Sequence, residues 1–128
     1  MKETKESYIS QSKVKFNAAE NLFLNGSNGD FAVDSQGQNA AQFLCLSVEL
    51  ALKSLSMYYN VKPPHGHNLT HIMSNIPKEI PKDYKKLIQE LDGMYTLLRY
   101  DSDFDEIKDI GNKLTKGNEF VKYVDNKI

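Results

Sequence analysis

The sequence has no tryptophan, one cysteine and, among sixteen basic residues, a single arginine. The lone cysteine, Cys45, lies in the apolar run Phe43-Leu44-Cys45-Leu46. There a small, soft side chain packs well and has no partner for an intramolecular disulfide, which fits a reducing cytoplasm and a structural role. A secretory signal is missing as well: the chain opens on the charged run Lys2-Glu3-Thr4-Lys5-Glu6, so a cytoplasmic location is expected. The most apolar stretch, residues 40–55, is interrupted by Gln42, Ser47, Glu49 and Lys53. It falls short of the roughly 20 apolar residues that span a bilayer and reads as a core helix, not a membrane anchor. Charge of one sign is also scarce, with seventeen acidic residues against sixteen basic ones for a net charge of -1. That excludes the broad basic field of a generic duplex-nucleic-acid binder and leaves room only for a local cationic pocket. Gly26 and Gly29 sit in a polar turn without the Gly-Lys-Ser context of a phosphate loop, and no cofactor is expected.

What is present is helical periodicity. The 128 residues suffice for one domain with one core, with residues 1–6 expected to form a loose tail. No segment alternates apolar and polar residues long enough for a strand, so the fold class is all-α, an up-and-down bundle of about five helices. Ile9, Phe16, Ala19, Leu22 and Phe23 place a first helix over about residues 8–24, ending at the turn formers of residues 25–30. Ala40, Leu44, Val48, Ala51, Leu52, Leu55 and Tyr59 form the continuous stripe of a second helix over residues 39–59. Pro63-Pro64 forbids its continuation. Asn68 is a good N-cap for a short third helix carrying Leu69, Ile72 and Met73 before Pro77. Pro81 suits the first turn of a fourth helix reaching Arg99 or Tyr100. The acidic turn Asp101-Ser102-Asp103 is expected to cap a fifth, carrying Ile107, Ile110, Leu114, Val121 and Val124, in which Gly111 and Gly117 permit close packing.

Few residues carry chemistry. Arg99 is the only guanidinium, suited to a phosphate or, equally, to a bridge with Glu49, Asp101 or Asp103. Lys53 and Glu49 are either an exposed i,i+4 pair or part of a phosphate-binding groove between the second and fourth helices. His65, His67 and His71 are the only histidines. With no third ligand evident nearby, no metal site is expected, and His67 is read as closing the loop or capping a helix. Tyr58, Tyr59, Tyr95 and Tyr100 are base-stacking platforms or, at helical spacing, core and interface residues.

Three features in order resemble the HEPN family, the higher-eukaryote and prokaryote nucleotide-binding domain. They are Val48-Glu49-Leu50-Ala51-Leu52-Lys53 on a long helix, the loop Pro64-His65-Gly66-His67-Asn68-Leu69, and the segment from Leu91 to Leu98 leading into Arg99-Tyr100. The resemblance implies a helical bundle that pairs with itself as a homodimer or with a small nucleotidyltransferase subunit, in toxin–antitoxin or defence systems. It also implies a nucleotide- or RNA-related site formed by Arg99, Tyr100, Lys53 and His67. Ribonuclease branches of the family carry a histidine a few residues after the arginine. Here no histidine follows His71, so the implied module is non-catalytic, unless Arg99 works with a non-adjacent histidine such as His67. The third alternative is a pure interaction domain.

Overall fold

The computed structural model describes residues 3–25, 35–100 and 110–128, and the side chains of residues 3–24, 39–96 and 110–128. Within them lie five helices, α1 (Lys5–Asn25), α2 (Ser35–Tyr58), α3 (Leu69–Ser74), α4 (Lys82–Tyr100) and α5 (Ile110–Asp125), and no strand.

α1 starts earlier than its apolar spacing indicates. Ser7 N–H donates to Thr4 Oγ1 at 3.0 Å while Thr4 N–H donates to Ser7 Oγ at 2.9 Å. This reciprocal pair satisfies two amide donors that a helix start leaves open, in the manner of a capping box with serine in the acidic position. Lys5 and Glu6, expected in a loose tail, belong to α1, and Glu3 Oε2 accepts from Ser7 Oγ at 2.9 Å.

α2 packs against all four other helices. Ala40, Ala41, Leu44, Cys45, Val48, Ala51, Leu52 and Leu55 are all buried. By length and composition the Asn39–Tyr58 segment could cross a membrane, with mean hydropathy 1.2, yet 72% of it is buried inside the bundle; it is the core helix. Its pairing with α1 has a readable direction. Ser12 meets Ser47 and Lys5 meets Ser54, so numbers fall along one helix as they rise along the other and the two run antiparallel. Cys45 is buried, its thiol donating to the Leu91 carbonyl at 3.6 Å, in keeping with a structural role.

α2 ends by a left-handed turn at Asn60, with φ of 62°. Val61 N–H donates back to the Ser56 carbonyl at 2.9 Å and Asn60 N–H to Met57 at 3.0 Å. These are the two bonds of a Schellman cap. α3 begins, as expected, behind Asn68, whose side chain accepts from His71 N–H at 2.9 Å. Pro81 lies just before α4, its carbonyl accepting from Tyr84 and Lys85 N–H at 3.0 Å. On α5, a β-carbon at Gly117 would lie 2.7 Å from Leu44 Cδ1, so any side chain there would displace the buried Leu44 of α2. The expected acidic cap of α5 and Ile107 lie outside the described residues.

Candidate functional site

The second helix buries a carboxylate. Glu49 lies among the apolar residues of α2 at 2% exposure, yet three other side chains reach it. Lys53, one turn along α2 and 18% exposed, brings Nζ to 3.0 Å from Oε2. His67 Nδ1 lies 3.0 Å from Oε1 and 3.2 Å from Oε2. Tyr95 Oη, from α4, donates to Oε1 at 3.2 Å. A carboxylate withdrawn from water is strongly disfavoured unless it is paired and hydrogen-bonded. Here α2, the loop and α4 each supply a partner, and among the described residues no buried side-chain polar atom is left unsatisfied.

The loop that delivers His67 is fixed at both ends. The Schellman cap turns the chain out of α2, Pro63 and Pro64 stiffen it, and Gly66 at φ 103° takes a conformation that a side chain would strain. Beyond His67, Asp92 of α4 accepts from Leu69 N–H at 2.8 Å and from Thr70 Oγ1 at 2.9 Å. His67 is thus held to α2 and edge-on to the Tyr95 ring, with centroids 6.2 Å apart, while 57% of its side chain remains exposed.

The outer side of this arrangement is a cavity of about 680 Å³ between the start of α1, the end of α2 and the loop. Tyr8, Met57, Val61, Pro63 and Pro64 give it apolar surface, while Lys53 and Lys62 bring ammonium groups and His65 and His67 bring imidazoles. Glu3 is also on its wall.

The sequence-derived candidates are therefore divided. Lys53 and His67 converge on one carboxylate and line one cavity. The Glu49–Lys53 pair is buried, which corrects its reading as an exposed pair; the local spacing shows the ion pair but not the elements packed over it. The cavity opens beside α1 and the loop, whereas the expected groove lay between α2 and α4. Arg99 and Tyr100 close α4, the former four residues or about 6 Å beyond Tyr95 along the axis; their side chains lie outside the described residues. Tyr58 is exposed with Lys5 Nζ 5.4 Å from its ring centre, and Tyr59 packs on the core.

His67 precedes the helix start and does not share a helical face with His71, since α3 begins at Leu69. Among the described residues no group of three or more histidine, cysteine, aspartate or glutamate side chains could hold a metal ion. Sequence reasoning missed Tyr8, Lys62 and Asp92. Lys62 was detectable from its position beside Pro63, whereas Tyr8 and Asp92 join the site only through tertiary packing.

The family model for the HEPN domain matches residues 6–127. No curated protein and no solved structure matches.

Proposed function

We propose that this chain, which belongs to the HEPN family, is a non-catalytic helical module that binds the phosphate of a nucleotide or RNA in the cavity walled by Lys53 and His67. The observation that carries the reading is this wall itself: a buried carboxylate holds an ammonium and an imidazole at the edge of a concave, partly apolar space. Phosphate recognition calls for positioned donors in a site that sheds water, and a fixed wall lowers the entropic cost of binding. Lys62 adds an exposed ammonium that enters no ion pair among the described residues. Family resemblance extends the proposal to a cytoplasmic protein pairing with itself or with a small nucleotidyltransferase, in a toxin–antitoxin or defence setting.

The test is titration of the purified protein with labelled ATP and with a short single-stranded RNA, alongside a Lys62→Ala variant shown to be folded. Removal of one charged donor to phosphate should weaken binding about tenfold or more. Wild-type protein that binds neither ligand sinks the reading in favour of a pure interaction domain.

A second reading, RNA cleavage by Arg99 with the non-adjacent His67, is favoured by one contact. The 3.0 Å approach of Glu49 to His67 Nδ1 is the arrangement by which a carboxylate orients an imidazole for proton transfer. RNA cleaved in the presence of a chelator by wild type and left whole by His67→Ala would support it; RNA left whole by both would remove it.

A further inference from the structure

The cavity carries, besides its cations, one acidic side chain that phosphate binding does not use. Glu3 is exposed on the wall shared with Tyr8, Lys62 and Pro63. Its carboxylate is held in place: Oε2 accepts from Ser7 Oγ at 2.9 Å and from Gln11 Nε2 at 3.1 Å, both on α1. No hydrogen bond to Oε1 is present among the described residues. An ionised carboxylate can only accept, so Glu3, on the same cavity wall as Lys62, favours a ligand with donors away from its anionic end.

We infer that the cavity takes a guanine mononucleotide, with Glu3 accepting from the base and Lys62 donating to the phosphate. The inference rests on the phosphate-binding reading above and adds the identity of the base. Guanine presents two adjacent donors on its pairing edge, the ring N1–H and the exocyclic amine, and both can converge on the open carboxylate oxygen, Oε1. Adenine and cytosine place an acceptor ring nitrogen beside the amine. Uracil offers one ring N–H flanked by two carbonyls, which face a carboxylate oxygen to oxygen. Such unmatched polar groups are what a site built for hydrogen bonding rejects. The aromatic ring of Tyr8 and the saturated rings of Pro63 and Pro64 supply apolar surface for the body of the base.

The experiment is calorimetric titration of the full chain with guanosine, adenosine and uridine monophosphates, for wild type, Glu3→Gln and Lys62→Gln. Both positions are exposed, so folding should be retained, and circular dichroism checks it. Wild type should bind the guanine nucleotide about tenfold or more tightly than the uracil nucleotide, the discrimination expected of one bidentate pair. Glu3→Gln, which replaces one acceptor by a donor, should weaken guanosine monophosphate and strengthen uridine monophosphate, whose N–H and carbonyl an amide can pair, and so bring that ratio to one or below. Lys62→Gln should weaken all three nucleotides by a similar factor. A wild-type ratio near one, or a ratio that Glu3→Gln leaves intact, overturns the base assignment while phosphate binding stands. Absence of binding by all three nucleotides, and of the ATP and RNA tested above, overturns both.

Discussion

Two buried polar contacts sit two residues apart on α2 and solve the same problem differently. At Ser47, the hydroxyl donates to the Ser12 carbonyl at 2.8 Å while Ser12 Oγ donates to the Ser47 carbonyl at 2.7 Å. Both residues are fully buried, and two neutral hydroxyls find their partners in the backbone of the facing helix. At Glu49 the buried group is a carboxylate, and its partners come from α2, the loop and α4, one of them more than half exposed. A neutral polar pair can close on itself and serves only to join α1 to α2. A charge in the same helix requires partners from several elements, and so connects the core to the cavity surface.

The largest test of that contrast is Glu49→Ala. It leaves the mostly buried Lys53 ammonium without its carboxylate, and breaking such a pair costs about 3 kcal/mol. Urea unfolding at neutral pH measures it, and a loss below about 1 kcal/mol would show that water takes over the role of the carboxylate. Ser47→Ala should lose about 1 kcal/mol, the worth of one hydrogen bond, because Ser12 Oγ keeps the Ser47 carbonyl as acceptor. It should also leave ligand affinity untouched. Equal losses for the two variants would erase the distinction between neutral and charged burial.

Gly93→Ala sharpens the comparison from the other direction. Gly93 is exposed within α4, between Asp92 and Tyr95, and a β-carbon there meets nothing within 4 Å. Stiffening the helix should raise stability by about 0.5–1 kcal/mol without altering either contact, as thermal unfolding would show. The smallest effect concerns alkaline pH. Burial, with the nearby Glu119 carboxylate second, raises the Tyr84 phenol above its usual 10.0. A folded-state value above the unfolded one means that this contribution is complete below pH 10 and is lost as pH climbs through the raised value. Tyr84→Phe should remove that part of the alkaline decline, and the difference between the two pH profiles isolates α4–α5 packing from both contacts on α2.

The sequence was most legible where signals are local. The α2 stripe and the Asn68 cap depend on neighbours within a turn or two, and both are as expected, whereas α2 ends at the Asn60 turn, before Pro63-Pro64 is reached. The start of α1 was missed because Ser7 fills the position in which a capping box usually shows glutamate or glutamine. Glu49 and Lys53 were legible as a pair but not as a buried one, because a charged i,i+4 pattern most often marks a solvated face. The link from Glu49 to His67 spans 18 residues. It depends on how a glycine, two prolines and a left-handed asparagine together fold the loop, information that no periodicity carries. Tyr95 reads as a core aromatic, which is half correct: its ring packs on the core while its hydroxyl reaches Glu49.

The bond from Leu69 N–H to Asp92 also ties the stability of one helix to another. A helix of six residues is far too short to nucleate in water by itself. Its first turn depends on the Asn68 side chain and on a carboxylate from a helix that begins later in the chain. α3 therefore has no stability of its own: any opening that lifts Asp92 away also takes a bond from the first turn of α3 and loosens the loop carrying His67.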